Sequence, residues 1–164
     1  PWVTPILRSA TRRSRRVARS SGRWGLGLAL VAAGIALDQF TKWLVLQAWS
    51  GIPRDFGPVR IAVAYNPGVS FSQLAGLGSA VVLVVGAVCV GVAVAMILAG
   101  PRYRPALGLV LGGALGNFID RLRYDGTVLD YIGVWRWPSF NVADALIAVG
   151  TVWLVVLMLR AGRE

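Results

Sequence analysis

Residues 74–100 read LAGLGSAVVLVVGAVCVGVAVAMILAG, a stretch without one charged side chain. About 20 apolar residues in a helix suffice to cross the hydrocarbon core of a bilayer. This stretch is therefore read as a transmembrane helix, and the remainder of the chain is read around it. Mean hydropathy is +0.65, with 56% of residues hydrophobic and 15% charged. Water-soluble domains usually carry about 25% charged residues, so a small integral membrane protein is the expectation.

Three further apolar stretches flank it. Trp24 to Trp49 is interrupted only by Asp38 and Lys42, and Val142 to Leu159 carries Asp144 near its start. Pro105 to Ile119 is shorter, roughly 22 Å as a helix. The expected architecture is all-α, with four transmembrane helices over about 24–46, 74–100, 103–121 and 141–160. The first is read as a retained helix, because it is longer than a cleavable signal and no A-x-A-like site follows it. Two connections carry strand patterns, Val59 to Tyr65 and Thr127 to Ile132, the second after the turn signal Asp125-Gly126. They imply a small β-containing cap on one side of the membrane. Trp135 and Trp137 fit interfacial aromatics.

The Lys and Arg residues set the orientation. Residues 1–23 hold seven Arg and no acid, and are read as a disordered basic tail. With four spans, that tail, Arg102, Arg104, Arg160 and Arg163 share one side, leaving six of the 17 basic residues elsewhere. Both termini are thus expected in the cytoplasm and the cap outside. The net charge of +10 is assigned to this asymmetry and to anionic lipid, not to nucleic acid, since no folded reader accompanies it.

The chain has no His and a single Cys, Cys89. This excludes a Ser-His-Asp triad, a Cys-His pair, an HExxH zinc site and an internal disulfide. Chemistry is left to Asp, Asn, Ser, Lys and Arg. Charged residues inside spans are costly and mark functional sites. Asp38 in the first span, Asn66 in the first outer connection, Asn117, Asp120 and Arg121 at the end of the third span, Asp130 in the second outer connection, and Asn141 and Asp144 at the start of the fourth all fall at one depth, near the outer interface.

Each cluster has a plainer reading. Asp38 and Lys42 are spaced for one helical salt bridge, although Lys42 could also serve a hydrolytic Ser70 or Ser72. Asn66-Pro67-Gly68 forms a turn or holds a substrate. Asn117, Asp120 and Arg121 pin a helix end, with Asp120 paired to Arg121. Asp130 has no cation within four residues, and Asp144 shares a helix face with Asn141. Two carboxylates in a partly dehydrated site share one proton. Such a pair suits aspartic-protease chemistry, or equally proton-coupled transport.

Five segments carry a resemblance: Asp38-Gln-Phe-Thr41-Lys42, Asn66-Pro-Gly68-Val-Ser-Phe71, Gly116-Asn117-Phe-Ile-Asp120-Arg121, Gly126-Thr-Val-Leu-Asp130-Tyr-Ile and Phe140-Asn141-Val-Ala143-Asp144. In this order and spacing the chain resembles the bacterial lipoprotein signal peptidases, intramembrane aspartic endopeptidases of the type II signal peptidase family. Leu129 and Tyr131 are conservative departures beside Asp130. The resemblance implies Asp130 and Asp144 as the catalytic pair. It implies Asn66, Gly68, Asn117, Arg121 and Asn141 as substrate-holding residues, and Asp38, Lys42 and Asp120 as supports. It implies no metal or other cofactor, and a monomer in the bacterial plasma membrane. The substrate would be a prolipoprotein whose lipobox Cys carries diacylglycerol, cut just before that Cys near the outer leaflet. Cys89 belongs to no such lipobox and is expected buried in the second span.

Overall fold

The computed structural model describes residues 4–49, 52–67 and 78–163, with side chains from Trp24 onward. Four helices and four strands follow in the order α1 (Thr4–Trp49), β1 (Arg54–Phe56), β2 (Val59–Asn66), α2 (Gly78–Leu98), α3 (Arg104–Arg123), β3 (Val128–Val134), β4 (Trp137–Phe140) and α4 (Val142–Ala161). Among the described residues, three segments are long and apolar enough to cross a membrane: Trp24–Trp49 of α1, Ser79–Leu98 of α2 and Val142–Ala161 of α4. The 20 residues of α3 reach about 30 Å, but glycines and terminal charges dilute its apolar character. It is the central helix, packed against α1, α2 and α4.

The backbone is helical from Thr4, through the basic segment and continuous with the first span. Arg, Ala and Leu are strong helix formers, and Pro5 falls in the first turn, where its missing N–H costs nothing. At the same end of the bundle the buried Arg104 guanidinium lies 3.8 Å over the Trp24 ring, tying α3 to α1 by a cation–π contact. Cys89 is buried with Met96, Leu107 and Leu111 between α2 and α3, as expected of a small apolar residue.

Glycine lets α3 sit at the centre. A Cβ at Gly112 would lie 3.0 Å from Val31 O, one at Gly116 2.7 Å from Asp38 Oδ2, and one at Gly113 would run into Ala143 O. Small residues that admit close backbone approach are the usual basis of helix association in membranes. Here they bring α1 and α4 side by side against α3, with Gly116 facing both.

The strands form one antiparallel sheet in the order β1-β2-β3-β4. The β1–β2 hairpin turns at Gly57, whose φ of +67° a residue without Cβ adopts at no steric cost. The end of α3 turns through Asp125 and Gly126, both at positive φ, with Gly126 N donating to Arg121 O at 2.9 Å. Chain direction thus reverses within four residues, and β3 lies against the helix it left. Val128 to Tyr131 are all buried, and Val45 of α1, Leu129 and Tyr131 form a second core beneath the sheet. The fourth strand was not expected from the sequence. Its Pro138 breaks strand patterning, which an edge position tolerates.

The contact beneath Gly113 involves backbone on both sides, so a methyl group there cannot be absorbed by rotamer changes. Gly113→Ala is expected to cost about 1–3 kcal/mol, as overpacking of a close-packed interior does. Thermal unfolding in detergent, compared with Gly91→Ala, where a Cβ meets nothing within 4 Å, measures it.

Candidate active site

One buried polar network joins α1, α3, β2, β3 and the start of α4. Lys42, only 3% exposed, donates from Nζ to Asp38 Oδ2 at 2.8 Å, to Asp120 Oδ2 at 2.7 Å and to Asn117 Oδ1 at 3.3 Å. Each of the three ammonium protons has an acceptor. Asp120 therefore pairs with Lys42 and not with its neighbour Arg121. Adjacent residues on a helix project about 100° apart, so Asp120 faces α1 while Arg121 turns away.

Asp130 and Asp144 arrive by different routes. Asp130 stands opposite Ala64 in the β2–β3 ladder, and Asn66 lies two residues further along β2, on the same face. Asn66 Nδ2 donates to Asp130 Oδ2 at 2.8 Å. Asn141 Nδ2 donates to Asp130 Oδ1 at 2.8 Å, to Asn117 Oδ1 at 3.0 Å and to Leu129 O at 3.3 Å. Asn141 is also the N-cap of α4: its side chain accepts from Asp144 N at 3.0 Å, while Asp144 Oδ2 accepts from Asn141 N at 3.2 Å. This is a capping box built from Asn and Asp. Asn117 Nδ2 completes the surroundings of Asp144 by donating to Oδ1 at 2.8 Å. Asn141 thus touches both carboxylates directly, and Asn117 touches Asp144 and Asn141 at once.

The four aspartates of this network fall into two kinds. Asp38 and Asp120 share the Lys42 charge, whereas Asp130 and Asp144 make no ion pair among the described residues and are surrounded by amides. Asp130 is 2% exposed, while Asp144 and Asn66 are half-buried, so the pair opens on the Asp144 side. Arg121, also half-buried, lies in the field of Asp144, Asp120 and Asp130. It donates from Nη1 to Asn117 O at 3.2 Å, and its Nε has no partner.

Every site residue expected from the sequence joins this network except Gly68, which lies outside the described residues, as do Ser70 and Ser72. Gln39 was missed. Its Nε2 donates to Asp38 Oδ2 at 3.2 Å, to Gly116 O at 3.3 Å and to Asp120 Oδ1 at 3.0 Å, and its Oε1 accepts from Arg123 Nη1 at 2.7 Å. The only hint was its position inside the Asp38-to-Lys42 segment. Thr41 was quoted there without a role; its Oγ1 accepts from Tyr131 Oη at 2.8 Å.

Burial pushes the Asp130 carboxyl above the ordinary value of 3.8, with the Asp144 charge acting the same way against hydrogen bonds from Asn66 and Asn141. The native chain then binds this proton more tightly than the unfolded chain. Stability falls as pH rises from about 4 to the raised value. Asp130→Asn is neutral throughout, and its amide fits once Asn66 flips to present Oδ1. At pH 7 the variant is expected to melt no lower than the parent, with the advantage gone below about pH 4. A lower melting temperature at pH 7 would contradict the burial cost.

The family model described as signal peptidase (SPase) II matches residues 30–160. A lipoprotein signal peptidase of Methylorubrum extorquens is 43% identical over 152 residues, covering 82% of this chain and 85% of that protein. One of Geobacillus thermodenitrificans is 40% identical, covering 79% and 86%, and one of Cupriavidus taiwanensis is 36% identical, covering 96% and 99%. Among solved structures, a bacterial membrane enzyme determined at 1.9 Å resolution shares the fold with a TM-score of 0.74 at 24% identity, covering 82% of this chain and 93% of its own. The chain is a bacterial membrane protein and a protease, and it belongs to the signal peptidase II family.

Proposed function

We propose that this chain is an aspartic endopeptidase that removes the signal peptide from diacylglyceryl-modified prolipoproteins, with Asp130 and Asp144 as its catalytic pair. The observation that carries this reading is the division of the four aspartates. Lys42 neutralises Asp38 and Asp120, at 2.8 and 2.7 Å, and leaves two carboxylates held only by uncharged donors. A general acid and a general base must be able to exchange a proton, which a permanent cation on each would prevent.

Roles follow from the surroundings. Asp130, buried and raised, holds the shared proton. Asp144 lies in the first turn of α4, where the positive end of the helix dipole favours a carboxylate. The Asp144 carboxylate takes a proton from water as the water oxygen bonds to the scissile carbonyl carbon. Asp130 gives its proton to the carbonyl oxygen, and a tetrahedral diol forms. The C–N bond then breaks: the proton on Asp144 passes to the departing nitrogen, and a diol hydroxyl returns a proton to Asp130. The half-buried Arg121 guanidinium, in the field of Asp144, and the half-buried Asn66 are the groups placed toward a substrate carbonyl, while Asn117 and Asn141, buried and bonded to the two carboxylates, serve substrate by holding the pair. Gly68 joins the substrate-holding set by its position in the Asn66-to-Phe71 segment.

Four membrane crossings, with α3 as the enclosed one, would put both termini in the cytoplasm and the pair near the outer leaflet. An apolar signal helix and a lipidated Cys would meet the pair there with their acyl chains still in lipid. The protein would act as a monomer, without cofactor. Membership of a protease family gives no support to the proton-coupled transporter reading.

Asp130→Asn and Asp144→Asn are each expected to insert and fold, yet to lose cleavage of a lipidated precursor in detergent by at least about a thousandfold, as loss of an essential acid or base does. Gel-shift assays of precursor and product measure it, and retained cleavage in either variant removes the pair from its role. Unlipidated precursor should be a poor substrate, and chelators should leave the rate unchanged.

A further inference from the structure

Both carboxylates paired with Lys42 also accept from a backbone N–H, and the positions of these two bonds are the key. Asp38 Oδ1 accepts from Ala143 N at 2.9 Å, and Asp120 Oδ2 accepts from Leu129 N at 3.0 Å. Ala143 immediately precedes Asp144, and Leu129 immediately precedes Asp130. Each carboxylate that belongs to Lys42 thus grips the main chain one residue ahead of a proposed catalytic aspartate. Lys42 Nζ joins the two grips, and its third proton goes to Asn117 Oδ1, whose Nδ2 holds Asp144 itself.

We propose that Lys42 is a positioning residue that sets the separation of Asp130 and Asp144 by fixing Asp38 against α4 and Asp120 against β3. This inference rests on the reading of Asp130 and Asp144 as the catalytic pair. β3 and α4 are joined in sequence only through the β4 hairpin, whose tip, Trp135 to Trp137, is exposed. Asn141, at the N-cap of α4, makes one direct tie by bonding Asp130 Oδ1 and Leu129 O. The path Leu129 N–Asp120–Lys42–Asp38–Ala143 N supplies a second, independent reference through groups that are nearly or wholly inaccessible to solvent: Asp38 is 0%, Asp120 1% and Lys42 3% exposed. Gln39 braces the same path from the other side by donating to both Asp38 and Asp120. The three acceptors leave no proton of Nζ over, so Lys42 acts through the residues it holds and not on substrate.

A role in stability alone and a role in spacing part company when the charge is kept and the shape is changed. Lys42→Arg retains both ion pairs, but a planar fork cannot hold three acceptors at the spacing of one tetrahedral nitrogen. Positioning predicts a folded, inserted protein with kcat lowered about a hundredfold, the cost of roughly an ångström of misplacement. KM for the lipidated precursor should stay within about twofold, and the pH profile of kcat should shift, since the spacing of two carboxylates sets how they share a proton. The double variant Lys42→Met, Asp38→Asn removes the cation and one carboxylate together, keeping an Asn oxygen for Ala143 N, and should show the same loss and shift. Parent-like kcat and pH profile in either folded variant overturns the proposal. So does failure of both to fold, which would make Lys42 a support of the fold alone. Asp130→Asn and Asp144→Asn are assayed alongside: if these retain cleavage, the catalytic pair is wrong, whereas their inactivity beside a parent-like Lys42→Arg discards only the positioning role.

Discussion

A lysine ammonium buried between two carboxylates is the constraint to which the rest of this molecule conforms. Removing an ion from water costs several kcal/mol even after relaxation, and the attraction of a partner offsets this only when geometry is good and every remaining donor is satisfied. Lys42 meets that condition with three acceptors for three protons. The acceptors come from α1 and from two successive turns of α3, so the relative height and rotation of these helices is specified to within a hydrogen bond. Apolar packing between two membrane helices would define that register far more loosely, because lipid competes for the same contacts.

The glycines of α3 are the steric counterpart of this electrostatic constraint. Asp38 reaches across α3 to the backbone of α4, and it can do so only because position 116 carries no side chain: a Cβ there would lie 2.7 Å from Asp38 Oδ2 and 3.4 Å from Ala143 Cβ. Polar placement and close packing therefore depend on each other. The charge network gives α1 and α4 a reason to approach α3, and Gly112, Gly113 and Gly116 make the approach possible. The same residues that weaken α3 as an independent apolar span make it the centre of the bundle.

This coupling also explains what could be read from the residues beforehand. Three of the four expected spans followed from apolar runs, and the strands over 59–65 and 127–132 followed from β-branched patterning, because both signals are local. The Asp38–Lys42 pair was visible as an i,i+4 spacing. The Lys42–Asp120 pair was not, since it joins residues far apart in sequence and needs the rotation of α3 about its axis; the adjacent Arg121 looked the nearer partner. Gln39 was hidden for a related reason. An amide announces nothing by its charge, and its value here comes from four partners on three turns of two helices. In the Arg-rich segment charge and backbone carry separate signals: the charge speaks for solvation, and the helical backbone follows the propensity of Arg and Ala. The convergence of these polar residues into one cluster was legible, but the sorting of four aspartates into two cation-bound and two cation-free required the fold.

The choice of amides around the proposed pair follows from the same physics. Asp130 and Asp144 receive hydrogen bonds from Asn66, Asn117 and Asn141, which orient a carboxyl without dictating its charge. An ammonium or guanidinium at hydrogen-bond distance would lower the proton affinity of whichever carboxylate it touched by one to three pKa units, to judge from typical ion pairs. One on each would leave a site with two fixed anions and no acid. The protein does place a cation in this cluster, but commits it entirely to Asp38 and Asp120. Charge neutralisation is thereby concentrated on the residues that hold the backbone, and the residues proposed to move protons are left with neutral partners. A chain with no histidine has few other ways to keep a proton mobile in a buried site, and this division of four like side chains by their neighbours is one that needs no additional residue type.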